Sequence, residues 1–348
     1  MAPPKNVPDF ELHDSGALLG RGVLDKLLQV TVDEPLDGAA VATLRFRDPE
    51  GAFSSGTTLA VGHELRVGLG WVGGSVQEVF LGEVVAWKGS FAQVGKETLT
   101  VVALDRFHRL RRNRRRKTWL NMTDSDVVAA VAAQAGLSAE CEASPVTHEA
   151  LHQWNQTDAD LVLERAGLLG WVAYVHQKKL HFHPPRLDAG PVARVKWHED
   201  LHDFSCATSL HDQQQELKVT AWRMGGKAPL TATAKTERDL MGGSVPGKVA
   251  VAPVAPGPTW LATTPASSQG EVQAWAEGRF MARSERFVTG EGTCEGAPAV
   301  RRDTVVEVEG IGERLSGKYY VRAATHTLVM GEGSGYTTSF RVARTATG

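Results

Sequence analysis

Short apolar or alternating runs, separated by turn residues, fill the first third of the chain and constrain its fold more than any other feature. Five such runs lie at residues 27–32, 40–47, 64–72, 77–87 and 97–104. The turns between them include D-P-E-G at 48–51 and G-G-S at 73–75. Period-two alternation bounded by turn residues predicts strands. Five strands without a helical repeat favour a small β-barrel or sandwich.

The middle of the chain changes to a helical pattern. Thr123 is a predicted N-cap with Asp126 three residues later, and Gly136 follows as the stop. A second helix is expected to begin at Thr157 and to end near Gly170. Two apolar runs at 171–175 and 180–183 flank a polar Q-K-K turn and predict a strand pair. This block is therefore predicted to be α+β.

Strand patterns then resume, interrupted by a proline-rich stretch and one more helix. Five prolines fall within residues 246–265, which predicts an ordered but irregular loop or linker. Ser268 and Glu271 form a predicted capping box for a helix that runs to about residue 287. The sequence leaves the role of residues 242–265 open. Strands are expected at 193–197, 204–209, 217–222, 305–308, 317–323, 326–330 and 336–342.

Together these patterns predict a mainly β fold with α+β segments, in which two small β-barrel domains are joined by helix-plus-hairpin insertions. We expect the first barrel at residues 1–117 and an α+β middle domain, with two helices and a hairpin, at 118–190. The second barrel is expected to combine residues 191–226 with 291–348. Residues 227–290 form the predicted insertion, which holds the proline-rich loop and a helix.

The composition excludes several classes of protein. Hydrophobic residues make up 42% of the 348 residues, which suffices for packed cores and argues against disorder. Because 38 Lys and Arg balance 40 Asp and Glu, a uniformly basic nucleic-acid binder is excluded. Neither a signal peptide nor a membrane-spanning run is recognisable. Three cysteines without metal-like spacing favour a reducing compartment, so we expect synthesis in the cytoplasm and no membrane anchor.

Residues 198–202 fit the H-E-x-x-H pattern of zinc hydrolases. On a helix, His198 and His202 would share a face and bind zinc, while Glu199 would activate a water molecule. Strand residues precede the pattern, however, and Thr208 stands where the extended motif has its third histidine. A polar turn between two strands is the favoured interpretation, and a zinc-dependent hydrolase is kept as the weak alternative.

No other catalytic pattern stands out. His181 and His183 would share a face on a strand and offer two metal ligands, but a solvent-facing polar stripe on a hairpin is favoured. The chain has no P-loop, no dinucleotide-binding glycine fingerprint and no G-x-S-x-G motif. We therefore expect no catalytic residue, no metal, no cofactor and no enzymatic activity.

A dense basic run occupies residues 106–117. Such a run suits an acidic partner surface or nucleic-acid phosphates, and a solvated segment is the plain alternative. We predict a partner interface at residues 109–117, keep nucleic-acid binding as an alternative function, and expect no stable nucleic-acid complex. The eight basic residues are Arg106, Arg109, Arg111, Arg112, Arg114, Arg115, Arg116 and Lys117.

Four segments resemble the baseplate hub proteins of contractile tails, namely the late control gene D proteins of myophages and the hub part of VgrG proteins. W-N-Q-T-D-A-D-L at 154–161, followed by G-W-V-A-Y and L-H-F-H-P, is similar to a signature of this family. Residues 105–117 and the helix at Thr123 resemble its passage into the first helical segment. Residues 195–205 with 217–222 resemble a strand pair. G-K-Y-Y-V at 317–321, His326, and G-Y-T-T at 335–338 with Arg341 resemble its closing strands.

This resemblance implies two small barrels in each chain and a homotrimer, so that six barrels form a ring that meets a sixfold tail tube. The opposite side of the ring would hold a trimeric spike, which makes the protein a symmetry adaptor. Because the chain stops shortly after Arg344, we expect the spike to be a separate protein. The resemblance thus predicts a structural component of a phage tail, tailocin or related particle, with tail tube and baseplate proteins as partners.

Overall fold

The computed structural model describes residues 7–48, 56–91, 97–263, 265–331 and 333–348. The predicted turn at 49–51 lies outside the described residues. No helix in the described ranges is both long and apolar enough to cross a membrane.

The first part of the chain is built from strands with one buried face. In β4, for example, Ala42, Leu44 and Phe46 point into a core while the residues between them are more exposed, as period-two geometry requires. The elements are β1 (Pro8–Asp14), β2 (Ala17–Leu18), α1 (Arg21–Leu24), β3 (Leu27–Pro35), β4 (Val41–Arg47), β5 (Glu64–Trp71), β6 (Gln77–Ser90), β7 (Thr98–Leu104) and α2 (Phe107–Leu110).

The middle part holds the two predicted helices and the predicted hairpin. Thr123 and Thr157 both close capping boxes, with Asp126 and Asp160 as the reciprocal carboxylates. Gly170 ends the second helix in the left-handed conformation, with φ of 61°. The elements are β8 (Arg114–Thr123), α3 (Asp124–Gln134), β9 (Ser138–Cys141), β10 (Thr147–Thr157), α4 (Asp158–Leu169), β11 (Val172–His176) and β12 (Lys179–His183).

The last part returns to strands around one long helix. Ser268 caps that helix, but the carboxylate of Glu271 accepts from the Ser267 amide instead of closing the predicted box. The elements are β13 (Ala193–Lys196), β14 (Leu201–Thr208), β15 (Glu216–Arg223), β16 (Ala228–Ala234), β17 (Val245–Pro246), α5 (Gly247–Ala250), β18 (Pro258–Ala262), α6 (Gln269–Ser284), β19 (Val288–Glu295), β20 (Val305–Glu309), β21 (Gly317–Val329), β22 (Gly335–Arg344) and β23 (Ala346–Thr347).

The proline-rich stretch is more regular than a loop. Its β18 pairs in parallel with β15, and Trp260 stands opposite Lys218. Pro258 is the first residue of this edge strand, where the missing amide hydrogen costs no ladder bond. Residues 258–262 therefore form the third strand of a sheet in the order β16-β15-β18, on which α6 packs.

One large sheet unites the first and last parts of the chain. Its strand order is β14-β19-β22-β21-β3-β4-β7-β6-β5-β1-β2, with β20 and β13 branching from β21. The two halves join where β3 and β21 pair antiparallel. The mainly β class with α+β segments is thereby confirmed, while the strand pairing among the described residues is an open path and closes no barrel.

Candidate interaction surface and buried polar junction

The arginines at the start of the basic run are held by internal carboxylates. Arg106 binds Glu64 at 3.0 Å, and the Nε of Arg109 binds Glu83 at 3.0 Å. His108 also contacts Glu83, at 3.1 Å. Burial opposes ionisation of Glu83, but hydrogen bonds from Arg109 and His108 lower its pKa overall. These residues fasten α2 to the sheet.

From Arg114 onward, the basic residues alternate between the two faces of β8. On the inner side, Arg115 binds Asp158 at 2.9 Å, and the Lys117 ammonium lies 3.4 Å from the centre of the Trp119 ring. Arg114 and Arg116 are exposed on the other face. The eight clustered cations of the sequence therefore have different roles, because a strand sends successive side chains in opposite directions.

The exposed side of β8 continues onto β10, its antiparallel partner. We call this surface the outer ribbon face; it consists of Arg114, Arg116, Thr118, Leu120, Ala150, His152 and Trp154. Arg116 lies opposite Trp154, with its guanidinium 4.0 Å from the ring centre. Trp154 and Leu120 stay 64% and 62% exposed.

Sequence reasoning did not assign Trp154 to this surface. The tryptophan is distant along the chain from the basic run, so its place beside Arg116 follows only from the pairing of β8 with β10. An exposed aromatic side chain next to arginine is typical of protein interfaces. The outer ribbon face is therefore the strongest candidate for a binding surface.

Beneath the ribbon lies a buried ionic network. Arg165 binds Asp124, and His148 contacts Asp124 at 3.2 Å and Glu271 at 3.4 Å through its two ring nitrogens. Burial alone would lower the pKa of His148, but hydrogen bonds to Asp124 and Glu271 raise it to about 9. The protonated imidazole thus connects α3 and α6 under β10.

Stability is expected to decline in alkaline solution because of this histidine. The pKa of His148 rises from 6.5 unfolded to about 9 folded, so its contribution is fully present below pH 6.5 and is lost as pH rises through 9. Urea unfolding across this range should show a smaller alkaline decline in His148→Gln than in the parent. His152→Gln, an exposed change on the same strand, is the control. An identical pH profile for the parent and His148→Gln would contradict this role.

The hairpin histidines are buried, so the prediction of a solvent-facing stripe was wrong. The ring of His181 stacks on Tyr174 with centres 4.7 Å apart, and the Nε2 of His183 lies 3.4 Å from Asp303. Burial lowers the pKa of His181 to about 4. The hairpin packs this face against the rest of the protein, which no local pattern at 179–183 indicates.

A three-residue loop, Arg301-Arg302-Asp303, joins the parts of the structure. Arg301 pairs with buried Glu34 in β3, and Arg302 pairs with Asp105 at 3.1 Å. Asp303 accepts hydrogen bonds from Tyr174 at 3.0 Å and Tyr320 at 2.8 Å. The loop therefore ties the first strands, the middle hairpin and the last strands together. Sequence reasoning did not identify it, since an R-R-D triplet has no distinctive spacing.

The H-E-x-x-H residues form a turn and the start of a strand. His198 has φ of 68°, and His202 is exposed near the start of β14. The helix that would direct both imidazoles to one zinc ion is therefore missing from this described segment. Among the described residues, no group of three or more His, Cys, Asp or Glu side chains is arranged to hold a metal ion.

Comparisons with known proteins identify one family whose sequence model matches this chain and several solved structures with a similar fold. The sequence model of a family described as the Alg8 N-terminal domain matches residues 23–329. A comparison with curated protein sequences found no match.

The similar solved structures include tail proteins. A 43 kDa tail protein of prophage MuSo2 from Shewanella oneidensis has a TM-score of 0.71 at 12% identity, covering 97% of this chain and 98% of its own. A tail protein from Neisseria meningitidis gives the same score and identity, with 97% of each chain covered. The type VI secretion component c3393 of Escherichia coli has a TM-score of 0.61 at 11% identity, covering 96% of this chain and 76% of its own. At these identities the likeness concerns the fold.

Proposed function

The chain belongs to the family of the Alg8 N-terminal domain, and we propose that it is a structural hub in the baseplate of a contractile injection machine. The observation that carries the proposal is the fold shared with two tail proteins over nearly the full length of both chains. The similar type VI secretion component supports the same class of machine. In this role the protein transmits force and fixes assembly geometry, and it uses no catalytic residue.

We propose further that the hub is a homotrimer that joins a sixfold tail tube to a separate trimeric spike, within an assembled phage tail or related particle. The large sheet supports this geometry, because among the described strands one end of its path is β14 and the other is the β1–β2 hairpin. A head-to-tail contact between two different edges closes into a ring when the rotation between copies permits it. Three copies would then share one continuous sheet.

A solution mass measurement tests the trimer. We expect light scattering to give about 112 kDa, three times the 37.5 kDa of one chain. Ser205→Lys with Ala207→Lys places two charges on exposed positions of the edge strand β14 and should shift the mass toward one chain. Thr43→Lys on the central strand β4 is the control. A mass of one chain at every protein concentration would contradict the proposed trimer.

A further inference from the structure

The β8–β10 ribbon offers strand edges with which no other described strand pairs. The two strands form a sheet of their own, so each has a neighbour on one side only. An edge strand presents unpaired backbone N–H and C=O groups and is a template for another strand. α3 and α4 follow the two strands directly in sequence, and the residues on the inner side of the ribbon are largely buried. A new strand would therefore extend the ribbon sideways and share its outer face.

The positive charge of the outer ribbon face lies on its β8 side. Arg114 and Arg116 project from β8, whereas on the β10 side the Glu164 carboxylate of α4 lies beside His152 and Trp154. Arg112 is exposed just before β8. Like charges placed opposite each other in a sheet are destabilising, so this edge disfavours pairing with a second copy of itself. An acidic strand meets no such penalty.

The order of residues along β8 specifies the partner further. Two arginines are followed on the same face by Thr118 and then by Leu120, which is 62% exposed. A strand laid beside β8 places its own alternate residues opposite these four positions. The complementary segment therefore alternates and carries two carboxylates at one end and an apolar side chain at the other.

We propose that an extended acidic segment of a partner protein adds to the free edge of β8 as a third strand. Its carboxylates lie opposite Arg114 and Arg116, and its apolar side chain packs against Leu120. The inference deepens the proposed hub function by naming the chemistry of one partner contact. It rests on that function in one respect, which is that the partner is a component of the same particle. Strand addition to a sheet edge is a general mode of peptide recognition.

A single-stranded nucleic acid is the competing occupant, because Trp154 and arginine together suit base stacking and phosphate contact. The geometry favours the peptide. Arg116 already lies against the Trp154 ring. Nucleic acid would also leave the backbone N–H and C=O groups of the β8 edge unpaired, and it would make no apolar contact with the exposed Leu120.

The test uses fluorescence anisotropy with dye-labelled capped peptides. One peptide carries Glu at two alternate positions and Val four residues beyond the nearer Glu, with Thr at the other positions, so that both carboxylates and the apolar side chain share a face. An isomer of the same composition has its Glu residues adjacent. A third replaces Glu with Lys, and oligo(dT) is the nucleic-acid probe. We expect the alternating acidic peptide to bind the full-length protein most tightly, and Arg114→Glu with Arg116→Glu to weaken that binding about tenfold or more, since attraction becomes repulsion at two positions.

Arg45→Glu with Arg194→Glu is the control, because it makes the same charge change at two exposed arginines on other strands. Equal binding of the isomeric peptide, no binding of the alternating peptide, or arginine-dependent binding of oligo(dT) alone would each overturn the inference. The urea midpoint of the ribbon variant should match that of the parent, which separates lost binding from lost folding. The trimer mass is measured without any peptide, so failure of this inference and failure of the proposed hub are distinguishable.

Discussion

Replacing Arg302 with methionine is expected to destabilise the protein by about 3–5 kcal/mol, the usual cost of removing one partner from a buried ion pair. The side chain is 3% exposed and donates to Asp105 in one direction and to the backbone carbonyl of Val175 in another. It also donates to the carbonyls of Pro35 and Gly38, at 3.0 and 3.3 Å. Burial raises the pKa of Asp105, so loss of the guanidinium would leave this carboxyl without its compensating charge.

Urea unfolding followed by circular dichroism measures this effect. Arg194→Met is the matched control, because Arg194 is an arginine on a strand whose side chain is 72% exposed, and its pair with Glu307 should contribute little. The double variant Arg302→Met with Asp105→Asn should recover part of the loss, since it removes the orphaned charge. A change no larger than that of Arg194→Met would show that the Arg301-Arg302-Asp303 loop does not hold the parts together.

Replacing Gly278 with alanine is expected to destabilise the protein by about 1–3 kcal/mol, the range for overpacking a tight contact. Gly278 lies within α6 where this helix crosses the end of α4. A Cβ atom there would stand 2.6 Å from both the amide nitrogen of Gly170 and the carbonyl oxygen of Leu168. These neighbours are backbone atoms, so a side-chain rotation cannot relieve the clash and the two helices must move apart.

Gly167→Ala is the control for this prediction, with the opposite expected sign. Gly167 lies inside α4, and a Cβ atom there would meet nothing within 4 Å. Alanine should therefore stabilise the protein by about 0.5–1 kcal/mol through helix propensity alone. Thermal and urea unfolding of both variants measure these changes in stability. Equal effects at the two glycines would mean that the approach of α4 and α6 does not limit stability.

The sequence by itself determined the features that depend on neighbouring residues. Thr123 and Thr157 begin their helices as expected, because a capping box needs only the residue three positions later. The alternation in β4 likewise defines its buried face without knowledge of its partners. The mainly β class follows from such local patterns.

Tertiary structure decided what depends on residues far apart in the chain. The pairing of β3 with β21 makes one sheet from the first and last parts, and no local pattern encodes that register. The pairing of β8 with β10 brings Trp154 to Arg116, and packing of the hairpin buries His181. The sequence of a basic run does not show which of its arginines form ion pairs within the protein. That depends on the positions of distant carboxylates such as Glu83 and Asp158.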